Sequence, residues 1–183
     1  MQGFIDIGRM AGALGLDRSV REQACQLFRT AQNEGLLPGR SIEAIASGCV
    51  YAACRINELP RTIGEIETVS RVTRARIENG YSVLNQELGL PIPPLCPVQY
   101  LPKVASAVDV EAKTERRARE LIEAVDESAR PGVHPAGVVA GALYQAGRET
   151  GDRVTQDELA TAAEVSEATV RVRYQEFSRR SLR

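Results

Sequence analysis

Tryptophan is absent from this 183-residue sequence, histidine occurs once, and aromatic residues make up only 4%. A core therefore has to come from Ala, Val, Leu and Ile. That choice favours packed helices over sheets, whose strands draw on aromatic and β-branched residues. The four cysteines, at positions 25, 49, 54 and 96, include no Cys-x-x-Cys pair, and His134 is the single imidazole. Such a set gives no zinc site, so no metal is expected, and the thiols are expected to be unbridged in a reducing compartment, with Cys25, Cys49 and Cys54 inside helical patterns. No apolar run approaches the roughly 20 residues of a membrane span, and no signal-peptide pattern opens the chain. A soluble, intracellular protein without membrane association is the expectation. Glycine-rich phosphate loops are also missing, and the carboxylates fall on helix faces or in capping boxes. Neither an enzyme nor a cofactor is expected from these parts. His134 precedes Pro135 at a helix start, a place for capping or surface exposure rather than catalysis. Charge of one sign is lacking as well: the formal net charge is −1 with 26% charged residues. Affinity for nucleic acid would have to arise from local basic patches.

What the sequence does contain is an internal repeat. A shift of 93 residues aligns 41–84 with 134–177 without a gap, bringing Gly48 onto Gly141, Tyr51 onto Tyr144, Arg55 onto Arg148 and Tyr81 onto Tyr174. A shift of 94 aligns the preceding segments, with Ala24 on Ala118 and Leu27 on Leu121. Between the copies, residues 89–97 hold four of the nine prolines and cannot continue a helix. The expected organisation is a first repeat over 1–90, a proline-rich linker over 91–97 and a second repeat over 98–183.

Each copy reads as about five helices, so the fold class is all-α. Val20, Ala24, Leu27, Phe28 and Ala31 recur at helical spacing, as do Ile42, Ile45, Ala46, Cys49, Val50 and Ala53. The second copy mirrors them with Ala118, Leu121, Ile122 and Val125, then Val138, Val139, Ala142, Leu143 and Ala146. The latter helix of each pair is rich in small residues, as a central helix approached by several neighbours must be. Thr62-Ile-Gly-Glu65 and Thr155-Gln-Asp-Glu158 form capping boxes at the same offset in both copies. The four recurring tyrosines read as core or packing residues.

After each capping box comes a short helix, a tight turn and a longer helix: a helix-turn-helix. In the second copy Leu159, Ala160, Ala163, Val165 and Val170 take its buried positions, and Glu164 stands where such turns often carry glycine. Ser166 caps the last helix, leaving Ala168, Thr169, Arg171 and Arg173 on or near the N-terminal part that reaches base edges in a major groove. Arg171 suits guanine, while Ala168 and Thr169 suit a thymine methyl. Five arginines stand against two glutamates over residues 166–183, with Arg179, Arg180 and Arg183 suited at most to phosphates. Ser166 and Thr155, and in the first copy Arg61, Arg74 and Arg76, are the candidate phosphate contacts. For all these arginines a merely solvated basic face is the alternative.

The stretches Pro38-Gly-Arg-Ser-Ile-Glu-Ala44, Tyr51-Ala-Ala-Cys-Arg55, Leu59-Pro-Arg-Thr62 and Val69-Ser-Arg-Val72, continued by Val165-Ser-Glu-Ala-Thr-Val-Arg-Val-Arg-Tyr174, resemble transcription factor B. That family is the archaeal counterpart of the eukaryotic general initiation factor IIB. The likeness covers nearly the whole chain and is strongest to archaeal members, from a salt-loving lineage. It implies two tandem five-helix, cyclin-like domains, each ending in a helix-turn-helix-like pair, that bind TATA-binding protein on promoter DNA. It also implies that the last helix reads a recognition element upstream of the TATA box through Ala168 and Arg171, with Thr169 and Arg173 nearby. The implied location is the archaeal cytoplasm, at the nucleoid. Family members carry an N-terminal zinc ribbon and a segment that enters RNA polymerase. Neither pattern is in this sequence, so the expectation is a core fragment rather than a short paralogue, and RNA polymerase is a doubtful partner of these residues alone. In the first copy Glu78 and Asn79 replace the family's Gly-Arg pair. A cyclin-like protein-interaction module without DNA binding is the rival reading.

Overall fold

The structure, a computed structural model, describes residues 1–124 and 134–181, with side chains through Arg179. Val125 and Arg183, named above, lie outside those residues, as does the side chain of Arg180. Among the described residues there are ten helices and no strand. The chain divides into two compact units, Met1–Pro93 and Pro94–Arg183.

The first unit contains α1 (Gln2–Ala13), α2 (Arg18–Asn33), α3 (Ile42–Ile56), α4 (Ile63–Val69) and α5 (Arg74–Leu88). Helix α3 is its axis, packed by the other four. Ala44 through Cys54 are all buried, the mark of a helix enclosed on every side. Four neighbours fit around it because its residues are mostly small. A Cβ on Gly48 would stand 2.7 Å from the Gly80 carbonyl carbon and the Tyr81 nitrogen of α5, closer than packed atoms allow. Phe28, Ile45, Ile66, Ile77 and Leu84 are fully enclosed around this axis, each contributing about 1.5–3 kcal/mol by burial.

The second unit repeats the plan with α6 (Pro97–Ala107), α7 (Ala112–Glu123), α8 (Pro135–Thr150), α9 (Gln156–Ala162) and α10 (Glu167–Ser181). Here α8 is the axis, and Tyr100, Leu101, Leu143 and Leu159 fill the core around it. The recurring tyrosines meet edge to face within each unit: Tyr51 on Tyr81 and Tyr144 on Tyr174, both with ring centroids 4.9 Å apart. They are packing residues, as their repeat positions suggested.

Helix ends follow the chemistry of the sequence. Thr62 and Thr155 form full capping boxes with Glu65 and Glu158, each satisfying two backbone donors that a helix start leaves open. Helix α5 closes on Gly89 in the left-handed region, φ 55. The proline-rich segment then runs to α6, which Pro97 opens as its first residue. That proline, expected in the linker, is helical because the first position of a helix needs no N–H and suits a fixed φ. Arg55 Nη2 donates to the Pro93 carbonyl at 2.9 Å, holding this segment against the first unit.

All four cysteines are free, Cys49 and Cys54 buried and Cys25 and Cys96 half-buried. Burial pushes the Cys49 thiol far up and that of Cys54 to about 12, so both stay protonated and unreactive. Among the described residues, no helix is long and apolar enough to cross a membrane.

Candidate nucleic-acid interface

The helix-turn-helix of the second unit is built from α9, a turn over residues 163–166, and α10. Val165 N–H donates to the Ala160 carbonyl at 2.9 Å and Glu164 N–H to Thr161 at 3.2 Å. This paired closure is a Schellman motif, whose penultimate residue must enter the left-handed region. Glu164 does so with φ 54, which explains why glycine is the usual occupant of the position. The turn ends at Ser166, whose Oγ accepts from Thr169 N–H at 3.2 Å and starts α10.

Helix α10 has one buried stripe and one open stripe. Val170 and Phe177 are buried. Ala168, Arg171, Val172, Gln175 and Arg179 are exposed, spaced three, four, seven and eleven residues along, which places them on a single face. Two of the four expected base-reading residues, Ala168 and Arg171, therefore stand together on the outward face near the helix N-terminus. Thr169 and Arg173 are placed elsewhere. The Thr169 methyl lies against α8, 2.9 Å from where a Cβ of Gly137 would be, and its Oγ1 lies 2.9 Å from Ser166 Oγ. Arg173 crosses Gly141, and its Nη1 donates to both carboxylate oxygens of Glu176, at 3.0 and 2.8 Å. Only 19% of the Arg173 side chain is exposed. Val172 and Gln175, which the sequence reading passed over, share the face of Ala168 and Arg171. The signal that identifies them is helical spacing from those two residues.

The candidate phosphate contacts divide similarly. Thr155 Oγ1 lies 2.7 Å from Glu158 Oε2 and accepts from the Glu158 N–H at 3.2 Å. Its backbone N–H also donates to that carboxylate, and these bonds hold the Glu158 carboxyl below the usual carboxylate range. Arg61 bridges two elements, donating from Nη1 to Glu65 Oε1 and from Nη2 to the Leu14 carbonyl, each at 2.9 Å. Its role in this geometry is to clamp the end of α1 to the start of α4. Arg74 is half-exposed and donates from Nε to Glu78 Oε1 at 2.9 Å. Arg76 is exposed, and with Arg40, Ser41 and Asn79 it lines an open cavity of about 360 Å³ where α3 and α5 meet. Arg61 is thus tied to Glu65 and Leu14, whereas Arg74 and Arg76 share the start of α5. Among the described residues, no group of His, Cys, Asp and Glu could hold a metal ion.

A family model described as "Transcription factor TFIIB repeat" matches residues 1–87 and 93–180. The chain is 44% identical over 177 residues to "Transcription initiation factor IIB 1" of Halobacterium salinarum, covering 96% of this chain and 62% of the relative. It is 48% identical over 170 residues to "Transcription initiation factor IIB 5" of the same archaeon, covering 92% and 55%. Against "Transcription initiation factor IIB 2" of Haloferax volcanii the identity is 43% over 177 residues, covering 96% and 53%. The chain thus spans between half and two thirds of the length of these curated relatives. The repeat they share is the cyclin-like fold, and their family is one of transcription factors rather than enzymes. With one repeat match filling each unit, and this identity along almost all of its length, the chain belongs to the transcription factor IIB family.

Proposed function

We propose that this chain acts in transcription initiation as the core that joins TATA-binding protein to promoter DNA and reads the sequence upstream of the TATA box. The observation that carries this reading is the outward face of α10, where Ala168 and Arg171 stand one turn apart just after a turn capped by Ser166. A helix presented this way enters a major groove N-terminus first, with Arg171 able to pair with guanine and Ala168 to meet a thymine methyl. The names of the relatives support the setting, since each is a transcription initiation factor IIB.

Charge supports a shared mode of binding. With a net charge of −1, the chain gains little from general attraction to a phosphate backbone. Its affinity then depends on a protein already in place. TATA-binding protein kinks DNA by roughly 80°, which brings both flanks of the box toward one bridging protein. In this reading the first unit meets the bound protein and backbone phosphates, through Arg74 and Arg76. The chain works at the nucleoid of an archaeal cytoplasm.

The experiment is a mobility-shift titration. The chain should add a slower band to a complex of TATA-binding protein and promoter DNA, and bind the same duplex only weakly alone. No slower band, together with a salt-insensitive protein partner, would establish the rival reading of a protein-interaction module. That rival draws on the internal pairing of Arg74 with Glu78 and of Arg173 with Glu176.

A further inference from the structure

The turn between α4 and α5 is tied to α1 by a set of residues of which the second copy keeps only a basic one, Lys103 for Arg9. At its centre is Asp6 of α1, with 3% of its side chain exposed. Oδ2 accepts from Gln2 Nε2 at 3.0 Å. Oδ1 is buried and accepts no hydrogen bond. It lies instead between two guanidinium groups, 3.5 Å from Arg71 Nη1 and 3.7 Å from Arg9 Nη2. Arg9 also donates to the Val69 carbonyl at the end of α4. Beside this group, Ser47 Oγ lies 2.8 Å from Ser70 Oγ, which accepts from Val72 N–H at 3.2 Å. The second copy has Tyr100 for Asp6, Ala140 for Ser47, Ala163 for Ser70 and Glu164 for Arg71.

A buried carboxylate oxygen without a donor is costly, and opposite charge close by is what makes it tolerable. Here that charge is supplied by two arginines from different elements. One of them, Arg71, is 59% exposed and lies two residues before Thr73, the cap of α5, where Arg74 and Arg76 follow. The neighbouring pair of Arg74 with Glu78 is half-exposed on both sides, so solvent screens it and a phosphate can compete for the arginine. Asp6 is shielded from that competition by burial.

We propose that Asp6 sets the affinity of the first unit for nucleic-acid backbones by holding Arg71, and with it Arg9, back from phosphates. The inference rests on the reading of this chain as a DNA-bound core. Asp6 touches no nucleic acid itself; it is a positioning residue that acts through the two guanidinium groups. It also accounts for a basic turn on a unit that should bind DNA weakly by itself.

The test compares the full chain with Asp6→Asn, Asp6→Glu, Arg71→Ala and the double variant Asp6→Asn, Arg71→Ala. The readouts are retention on a heparin column and salt titrations of duplex DNA binding, with and without TATA-binding protein. Each freed arginine that gains a phosphate steepens the slope of log affinity against log salt by about 0.9. Asp6→Asn should therefore elute later and bind roughly threefold to tenfold more tightly at low salt. Adding Arg71→Ala should reverse about half of the change in slope, and Asp6→Glu should behave as the original chain. Arg71→Ala alone should leave the slope unchanged, since that charge is already held. A variant that melts differently but keeps the original retention and slope would overturn the proposal. So would Arg71→Ala alone flattening the slope by about one unit, which remains readable even if Asp6→Asn fails to fold. Heparin retention does not depend on TATA-binding protein, so an absent promoter complex would sink the proposed function while leaving this inference measurable.

Discussion

Gly141 of α8 lies directly beneath Arg173 of α10: a Cβ on the glycine would stand 2.5 Å from the Arg173 Cβ and 2.9 Å from the Tyr174 nitrogen. The equivalent crossing in the first unit sets Gly48 against Gly80, and there a Cβ on Gly80 would stand 2.3 Å from the Ala44 carbonyl oxygen. The same close approach is therefore achieved twice with different residues. In the first unit the small residues are Gly48 and Gly80. In the second, α8 carries both, Gly137 and Gly141, which leaves α10 room for the side chains of Thr169 and Arg173.

Gly141→Ala should consequently destabilise the second unit by about 1–3 kcal/mol, the usual cost of forcing an extra carbon into a packed core. The clash is with the Arg173 Cβ and the Arg173–Tyr174 backbone, none of which can turn aside as the far end of a flexible side chain can. Urea unfolding followed by circular dichroism checks this. Gly48→Ala should cost a similar amount in the first unit, and full stability in either variant would mean that the two helices can slide apart freely.

Glu164→Gly acts in the opposite direction. Glu164 holds φ 54, a conformation that disfavours any side chain by about 1–2 kcal/mol. Glycine removes that strain but makes the unfolded chain more flexible, so the net gain should be about 0.5–1 kcal/mol. Thermal melting would show it as a small upward shift, and base selectivity should be unchanged because the turn keeps its shape.

These positions also show what was legible in the sequence and what was not. The repeat was legible because its constraints are local in sequence: Gly48 and Gly141 recur 93 residues apart, as do the capping boxes at Thr62 and Thr155. The unusual turn was visible in Glu164 replacing a glycine. The facing of α10 was not legible, because Thr169 and Arg173 are turned inward by their crossing with α8, a contact across more than 30 positions. The pairing of Arg61 was not legible either, since one of its two acceptors is the Leu14 carbonyl, 47 residues away. Pairings of that kind leave no periodic trace.

Acid should weaken the helix starts at Thr155 and Ser41. Glu158 is held below its ordinary value first by the Thr155 backbone N–H and then by its hydroxyl. Glu43 is held low chiefly by its own backbone N–H and by Ser41. A carboxyl whose pKa is depressed on folding contributes stability above its unfolded value and loses it as the pH falls through the folded value. The contribution of both caps should thus be complete at neutral pH and disappear as the solution is acidified past the usual carboxylate range. Melting temperatures measured from pH 7 to pH 3 should fall less steeply for Glu158→Gln than for the original chain. Thr155→Ala should cost about 1 kcal/mol at neutral pH, as expected for loss of a cap.

Arg171 and Arg173 are two residues apart, yet the geometry assigns them different work. Arg171 stands on the open face of α10, while Arg173 is mostly covered and holds Glu176 through two hydrogen bonds. Arg171→Ala should leave folding intact and relax the preference for one upstream base pair by about 1–3 kcal/mol. Arg173→Ala should do the reverse, lowering the melting temperature while leaving the preferred base unchanged. Binding measured against promoters altered singly at each upstream position, with melting curves of both variants, separates the two roles. If Arg173→Ala relaxes one base position and Arg171→Ala none, the outward face of α10 is not the reading surface.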